Sequence, residues 1–243
     1  MKFYGVQACL ALFEHRPAEI SRVFLMQEQV ERFTAVLDWC AKRSVPSKVV
    51  SFDELSRVAS TEHHEGVCFE AASIKSVSLD ALVARVAKSD SACVLLLESV
   101  ENPHNVGAII RTACFFGAAG IILVSSQSSS LSGAACRVAE GGAEVVPVAI
   151  VRDGAQALAV IKKAGFKVFA TTPHEARSLY EVRWPKKAAI LFGAEGSGLT
   201  LEALKSADER VVIPRVGPLE SLNVAASVAA VLTEVRRVGA RSC

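Results

Sequence analysis

Leu219-Glu220-Ser221-Leu222-Asn223-Val224-Ala225-Ala226-Ser227-Val228-Ala229-Ala230-Val231-Leu232 is the stretch on which the fold turns. It begins as a polar loop and runs without interruption into small and aliphatic residues of helical character. Just upstream, Val211-Val212-Ile213-Pro214 is a short β-branched run closed by proline, the end of a buried strand, and Gly217-Pro218 is a turn. Strand, turn and helix N-terminus in direct succession form the unit from which α/β sheets build ligand sites. Backbone N–H groups and loop side chains, here Ser221 and Asn223, gather at the mouth of the sheet. A plainer reading makes Ser221 the helix cap and leaves Asn223 facing solvent in the first turn.

The same alternation extends back through most of the chain. Residues 92–98 (Ala-Cys-Val-Leu-Leu-Leu-Glu) are a continuous apolar run, as expected of a strand buried on both faces. Further runs occupy 120–124, 145–150, 167–171, 188–192 and 211–213, with helical segments at 106–116, 155–164 and 201–206. This pattern predicts a parallel sheet covered by helices on both faces, with no internal repeat. Residues 1–75 alternate on a smaller scale. They predict a helix over 6–13, a strand over 20–25 and an amphipathic helix over 28–43 carrying Val30, Phe33, Val36, Leu37 and Cys40 on one face. A strand over 48–52 follows, then a helix over 54–59 capped by Asp53, and a last run over 66–71. The division is therefore a small α/β unit over 1–75, a linker over 76–90 holding a helix at 79–87, and a larger unit over 91–243.

Composition narrows the classes. Of 243 residues, 51% are hydrophobic and 21% charged, which supplies a core and excludes a disordered chain. A formal charge of +2 is no global footprint of nucleic-acid binding, so any RNA contact must use local patches. No apolar stretch resembles a membrane span, and Met1-Lys2-Phe3-Tyr4-Gly5 lacks a signal-peptide pattern. Cys9, Cys40, Cys68, Cys93, Cys114, Cys136 and Cys243 are scattered without a C-x-x-C pair, as in a reduced, cytoplasmic protein. His63-His64 invites a metal reading, but adjacent histidines alternate faces on an extended chain and no third ligand lies nearby, so no metal is expected.

Two more stretches carry chemistry. Glu101-Asn102-Pro103-His104-Asn105-Val106-Gly107-Ala108-Ile109-Ile110-Arg111 leaves the first strand of the larger unit and enters a helix. Asn105 and Arg111, six apart, are expected to point toward one ligand at the C-terminal edge of the sheet. Leu191-Phe192-Gly193-Ala194-Glu195-Gly196-Ser197-Gly198-Leu199 sets three glycines around a single acid, permitting positive φ and close backbone approach. Neither a Gly-x-Gly-x-x-Gly nor a P-loop lysine is present, so the usual dinucleotide and nucleoside-triphosphate fingerprints are missing.

In combination the three stretches resemble the SpoU/TrmH family of S-adenosylmethionine-dependent RNA methyltransferases, of the SPOUT class. Asn105-Val106-Gly107 with Arg111 matches the family's first motif, and Gly193-Ala194-Glu195-Gly196 with Gly198 its second. Ile213-Pro214 and Ser221-Leu222-Asn223 match the third, and the resemblance covers about residues 92–238. Residues 1–75, with Tyr4-Gly5 and His64-Glu65-Gly66-Val67, resemble the small substrate-binding domain that often precedes it. The resemblance implies a C-terminal trefoil knot, and a homodimer whose active site takes Arg111 from one subunit and the cofactor loops from the other. It implies methylation of a ribose 2′-hydroxyl in RNA; the family serves ribosomal and transfer RNA, and the added N-terminal module favours ribosomal RNA. Arg111 would be catalytic, with Asn105, Glu195, Ser221 and Asn223 positioning. Gly193, Ile213, Leu222 and, more weakly, Thr171 would line the cofactor pocket. Glu195 would orient Arg111 or the ribose, and Ser221 and Asn223 would bond the arginine and the nucleotide. Because a guanidinium stays protonated at neutral pH, the role that suits Arg111 is to donate to the developing alkoxide and grip the adjacent phosphate. Arg215 departs mildly from the family pattern as a phosphate contact or a surface arginine. The Ala- and Val-rich helix after Asn223 suits a subunit interface or an ordinary core. The competing readings are a transfer-RNA enzyme, a base methyltransferase and a catalytically silent RNA-binding relative.

Overall fold

A computed structural model describes residues 1–126, 130–174 and 176–239. The chain runs β1 (Lys2–Tyr4), α1 (Val6–His15), β2 (Ile20–Leu25), α2 (Thr34–Arg43), β3 (Ser47–Val49), α3 (Phe52–Ala59) and β4 (Val67–Ala71). These strands form a four-stranded sheet in the order β1-β4-β2-β3. Then come α4 (Leu79–Ala87), β5 (Ala92–Glu98), α5 (Pro103–Phe115), β6 (Gly120–Val124), α6 (Gly133–Val138), α7 (Gly142–Val145) and β7 (Val148–Val151). The chain continues through α8 (Gly154–Lys163), β8 (Lys167–Thr171), β9 (Arg177–Ser178), β10 (Lys187–Gly193), α9 (Leu201–Ser206), β11 (Glu209–Val212) and α10 (Val224–Gly239). The second sheet, β7-β6-β5-β10-β8-β11-β9, is parallel at every pairing.

β5 shows why the apolar run had to be central. Leu95 and Leu97 enter one core with Ile121, Ile190, Phe169 and α5, whereas Val94 and Leu96 enter another with Ile122, Val168, Leu191 and α8. Alternate side chains therefore bury against helices on opposite faces. Strand order runs outward in both directions from β5 and β10, paired from Lys187↔Ala92 to Gly193↔Glu98. The crevice beyond their C-terminal ends is the switch point of the sheet, where α/β folds hold ligands. On α10, Val224, Val228, Val231 and Leu232 are buried, so that face is core.

The small sheet is not a separate bead. Phe3, Val6, Cys9 and Leu12 belong to the same apolar cluster as Ile109, Ala135 and Ala143 of the larger unit. Arg16 grips Glu144 with Nε and Nη2, at 2.7 and 3.1 Å, and gives Nη1 to the Ala72 carbonyl. Arg137 reaches Glu65, whose other oxygen accepts from the Val6 N–H.

Several expectations need correction. The 28–43 helix starts only at Thr34; Gln27–Gln29 is a 3-10 turn and Phe33, at φ −101°, ψ 18°, sits before the helix. Phe33 is buried in this turn and Val30 only half-buried, so helix-like spacing arises here without a helix. Asp53 does not cap α3. Ser51 does, accepting from the Glu54 N–H at 3.3 Å, and Asp53 lies in the first turn. The 145–150 run is split by Pro147 into the end of α7 and the start of β7, and Ile213 lies past the end of β11. His64 is a core histidine. The Gly66 N–H donates to its Nδ1 at 3.0 Å, which leaves Nε2 protonated toward Ser56 Oγ, also at 3.0 Å. Burial pushes its pKa below the usual histidine value. The six described cysteines are free thiols, and burial pushes Cys68, Cys93 and Cys136 up to about 12; Cys243 lies outside the described residues. Among the described residues no helix is long and apolar enough to cross a membrane.

Candidate active site

Three loops meet beyond the ends of β5, β10 and β11. The first opens with Asn102, whose Oδ1 caps α5 through the His104 N–H at 2.9 Å, and Pro103 takes the first helical position. With the cap already supplied, the side chain of Asn105 is free to leave the helix. It donates Nδ2 to Glu195 Oε1 at 3.1 Å.

Glu195 stands in the second loop, which folds back on itself: the Gly198 N–H donates to the Ala194 carbonyl at 2.9 Å. Gly196 and Gly198 take φ +89° and +67°, and a Cβ on Gly193 would collide with the Gly198 and Leu199 backbone. Glycine at 193 is therefore a steric requirement of the loop. A second acid anchors it from below, as Glu98 at the end of β5 accepts from the Thr200 N–H and hydroxyl at 2.8 and 2.9 Å. The sequence signal for Glu98 was a charge closing an apolar strand.

The third loop ends on Asn223. Its Oδ1 accepts from the Ala225 and Ala226 N–H groups at 2.9 and 3.3 Å, so Asn223, not Ser221, caps α10. Its Nδ2 donates to Glu195 Oε1 at 2.6 Å and lies 2.9 Å from Asn105 Oδ1. The Val224 N–H points at the same carboxylate oxygen at 3.4 Å. One acid thus binds two amides and sits at the positive end of the α10 dipole. Ser221 is exposed and makes no hydrogen bond among the described residues.

Arg111 does not join this group within one chain. Six residues at 100° each place it about 120° around the helix from Asn105. Its Nη1 pairs instead with Glu140 Oε1 at 2.8 Å. Within one chain Glu195 holds the two asparagines. Gly107 has a packing duty, since a Cβ there would lie 2.5 Å from the Ala135 carbonyl of α6. Thr171 spends its hydroxyl on the Leu191 carbonyl at 2.7 Å. Arg215 reaches the Leu219 carbonyl at 3.5 Å.

The stretch between β11 and α10 has the chemistry to hold a flat, apolar ring with polar edges. Val216, Leu219 and Leu222 are exposed, Leu222 by 52%. Across 216–222 only the Leu219 carbonyl is engaged among the described backbone groups, so donors and acceptors are available beside apolar side chains. Ile213 is half-buried at its entrance.

Comparison with known proteins gives the family. Residues 92–233 match the SpoU rRNA Methylase family, and residues 3–77 match the RNA 2′-O ribose methyltransferase substrate binding family. The chain is 34% identical over 235 residues to the uncharacterized tRNA/rRNA methyltransferase YfiF of Escherichia coli O157:H7, covering 96% of this chain and 67% of that one. It thus spans about two thirds of that relative's length. It is 30% identical to the 23S rRNA (guanosine-2′-O-)-methyltransferase RlmB of Neisseria meningitidis serogroup B, covering 96% and 94%. An AdoMet-bound rRNA methyltransferase from Sinorhizobium meliloti superposes with a TM-score of 0.78 at 25% identity, covering 97% of this chain and 86% of that one. On these matches the chain belongs to the SpoU rRNA methylase family.

Proposed function

We propose that the chain methylates a ribose 2′-hydroxyl of ribosomal RNA, a finer statement than its family membership, which makes it an S-adenosylmethionine-dependent RNA 2′-O-ribose methyltransferase. The observation that carries the reading is the junction of Asn105, Glu195 and Asn223 at the switch point of the parallel sheet. Ribosomal RNA is favoured over transfer RNA because the relatives named for 23S rRNA align over nearly their whole length, 94% in the Neisseria protein.

When bound, the cofactor supplies an electrophilic methyl group. The free backbone groups of 216–222, with Leu222, Ile213 and the Gly193 loop, would hold its adenosine. Thr171 contributes by fixing β8 against β10. What remains for the protein is to align the 2′-oxygen and help it lose its proton. Holding reactants in near-attack geometry supplies several kcal/mol, of order 7 or more in favourable cases. Asn105 and Asn223 are held by Glu195 for this positioning, and Ser221 is free to meet the nucleotide. Arg111 donates to the developing alkoxide and grips the adjacent phosphate, while the proton leaves to water or to that phosphate. Because Arg111 lies apart from the Glu195 junction in one chain, we infer a homodimer in which the arginine faces its partner's junction. Residues 1–75 then serve as the RNA-binding unit, and the C-terminal segment is threaded as a trefoil knot.

The test is transfer of labelled methyl from S-adenosylmethionine to total RNA lacking this enzyme's own modification, for wild type and Arg111→Ala. Label in the large ribosomal RNA with wild type only is the expected result. Label in transfer RNA would overturn the substrate assignment, and no label despite cofactor binding would favour an RNA-binding relative without turnover.

A further inference from the structure

Arg111 is poised by an acid that no motif contains. The ion pair with Glu140 leaves the two side chains 59% and 44% exposed. Exposed pairs of this kind are weak, so another anion can displace the carboxylate at little cost. The backbone beneath Glu140 is less casual. Glu140 has φ +45° and Gly141 φ +89°, two consecutive left-handed residues that reverse the chain between α6 and α7. A residue with a Cβ adopts that conformation only where its surroundings hold it there.

Those surroundings come from both units. A Cβ on Gly141 would lie 2.8 Å from Ala11 Cβ on α1, and one on Gly142 would lie 3.3 Å from the Ile110 carbonyl and 3.4 Å from Arg111 Cα on α5. The turn is wedged between the helix of the small unit and the helix of the arginine, and α7 is pinned again through Glu144 to Arg16. The carboxylate of Glu140 is therefore aimed by a fixed turn.

We propose that Glu140 is a positioning residue that holds the Arg111 guanidinium in place until a phosphate of the substrate RNA replaces it. The inference rests on the methyl-transfer reading above. Carboxylate and phosphate both offer two oxygens at a spacing that matches the guanidinium fork, so one can take the other's place on Arg111. Until then, the pair limits the rotamers of a long side chain and restrains it from gripping any polyanion at random.

The experiment is a double-mutant cycle on RNA affinity, using in vitro transcribed 23S ribosomal RNA at one fixed salt concentration. Wild type, Glu140→Gln, Arg111→Ala and the double variant are compared. Glu140→Gln is expected to tighten binding about two- to fivefold, the scale of an exposed ion pair, and the gain is expected to vanish beside Arg111→Ala. An equal gain in both backgrounds would assign the effect to bulk charge and overturn the proposal, as would no gain or a loss. Glu140→Gly, which suits the left-handed backbone, repeats the cycle with a second side chain. Methyl transfer by the wild type on the same RNA separates the two ideas: absent transfer counts against the functional reading, whereas intact transfer with an additive cycle counts against Glu140 alone.

Discussion

Two glutamates four residues apart hold two arginines in opposite ways. Glu144 is 4% exposed at its side chain and takes Arg16 in a fork, whereas Glu140 is 44% exposed and meets Arg111 at Nη1. The first pair joins the small unit to the large one, with the carboxylate almost wholly shielded from solvent. The second faces solvent at the helix that carries the motif arginine. Geometry at this turn thus separates a structural ion pair from an exchangeable one, although the residue types are the same. Burial decides the difference, because desolvation makes a lone buried charge expensive and leaves an exposed one nearly indifferent.

The largest effect follows from breaking the buried pair. Arg16→Ala strands the Glu144 carboxylate and should lower stability by about 3 kcal/mol, read as a fall in the urea midpoint. A loss below about 1 kcal/mol, the range of surface pairs, would erase the contrast. Next comes the acid of the junction. Glu195→Ala releases Asn105 and Asn223, two groups held at 3.1 and 2.6 Å. Misplacement of positioning groups by about 1 Å can cost a hundredfold, so turnover should fall by about that factor while the urea midpoint moves little. Equal losses of stability and turnover would show that the junction holds the fold together rather than the site.

The sequence makes the position of this junction legible but not its wiring. Asn105, Glu195 and Asn223 each follow an apolar run, so a local reading places them at the ends of strands. Their mutual bonds span up to 118 residues, and nothing in a local pattern names such partners. The six-residue spacing of Asn105 and Arg111 predicts convergence on one ligand, yet helical rotation turns the arginine away within one chain. Helix caps are a second point at which local pattern falls short. The pattern favours Asp53 where Ser51 caps α3, and it offers Ser221 as a plain alternative for α10, where Asn223 holds the role. In each case an oxygen-bearing side chain two residues away offers an alternative cap, and loop geometry decides. Glu140 lies in a stretch of small residues whose short helices, Gly133–Val138 and Gly142–Val145, have too few turns to declare a period.

A pH series extends the comparison to a third buried group. Burial lowers the His64 pKa below its unfolded value, so the unfolded chain binds more protons as the pH falls. Stability should therefore decline as the pH drops through about 6.5, the unfolded histidine value, and level off below the depressed native one. His64→Gln, measured by urea midpoints from neutral pH downward, should flatten that part of the profile. An unchanged slope would place the acid sensitivity elsewhere.

The smallest effect is the most discriminating. Glu140→Gln should change the urea midpoint by no more than about 0.5 kcal/mol, because the pair is exposed and the turn is held by its glycines and by α1 rather than by the carboxylate. The same substitution is the one expected to alter RNA affinity through Arg111. A residue that leaves stability untouched while changing binding only when its arginine is present cannot be acting through the fold. Had Glu140→Gln cost as much as Arg16→Ala, the two glutamates would belong to one structural clamp, and the exchange of carboxylate for phosphate would lose its physical basis.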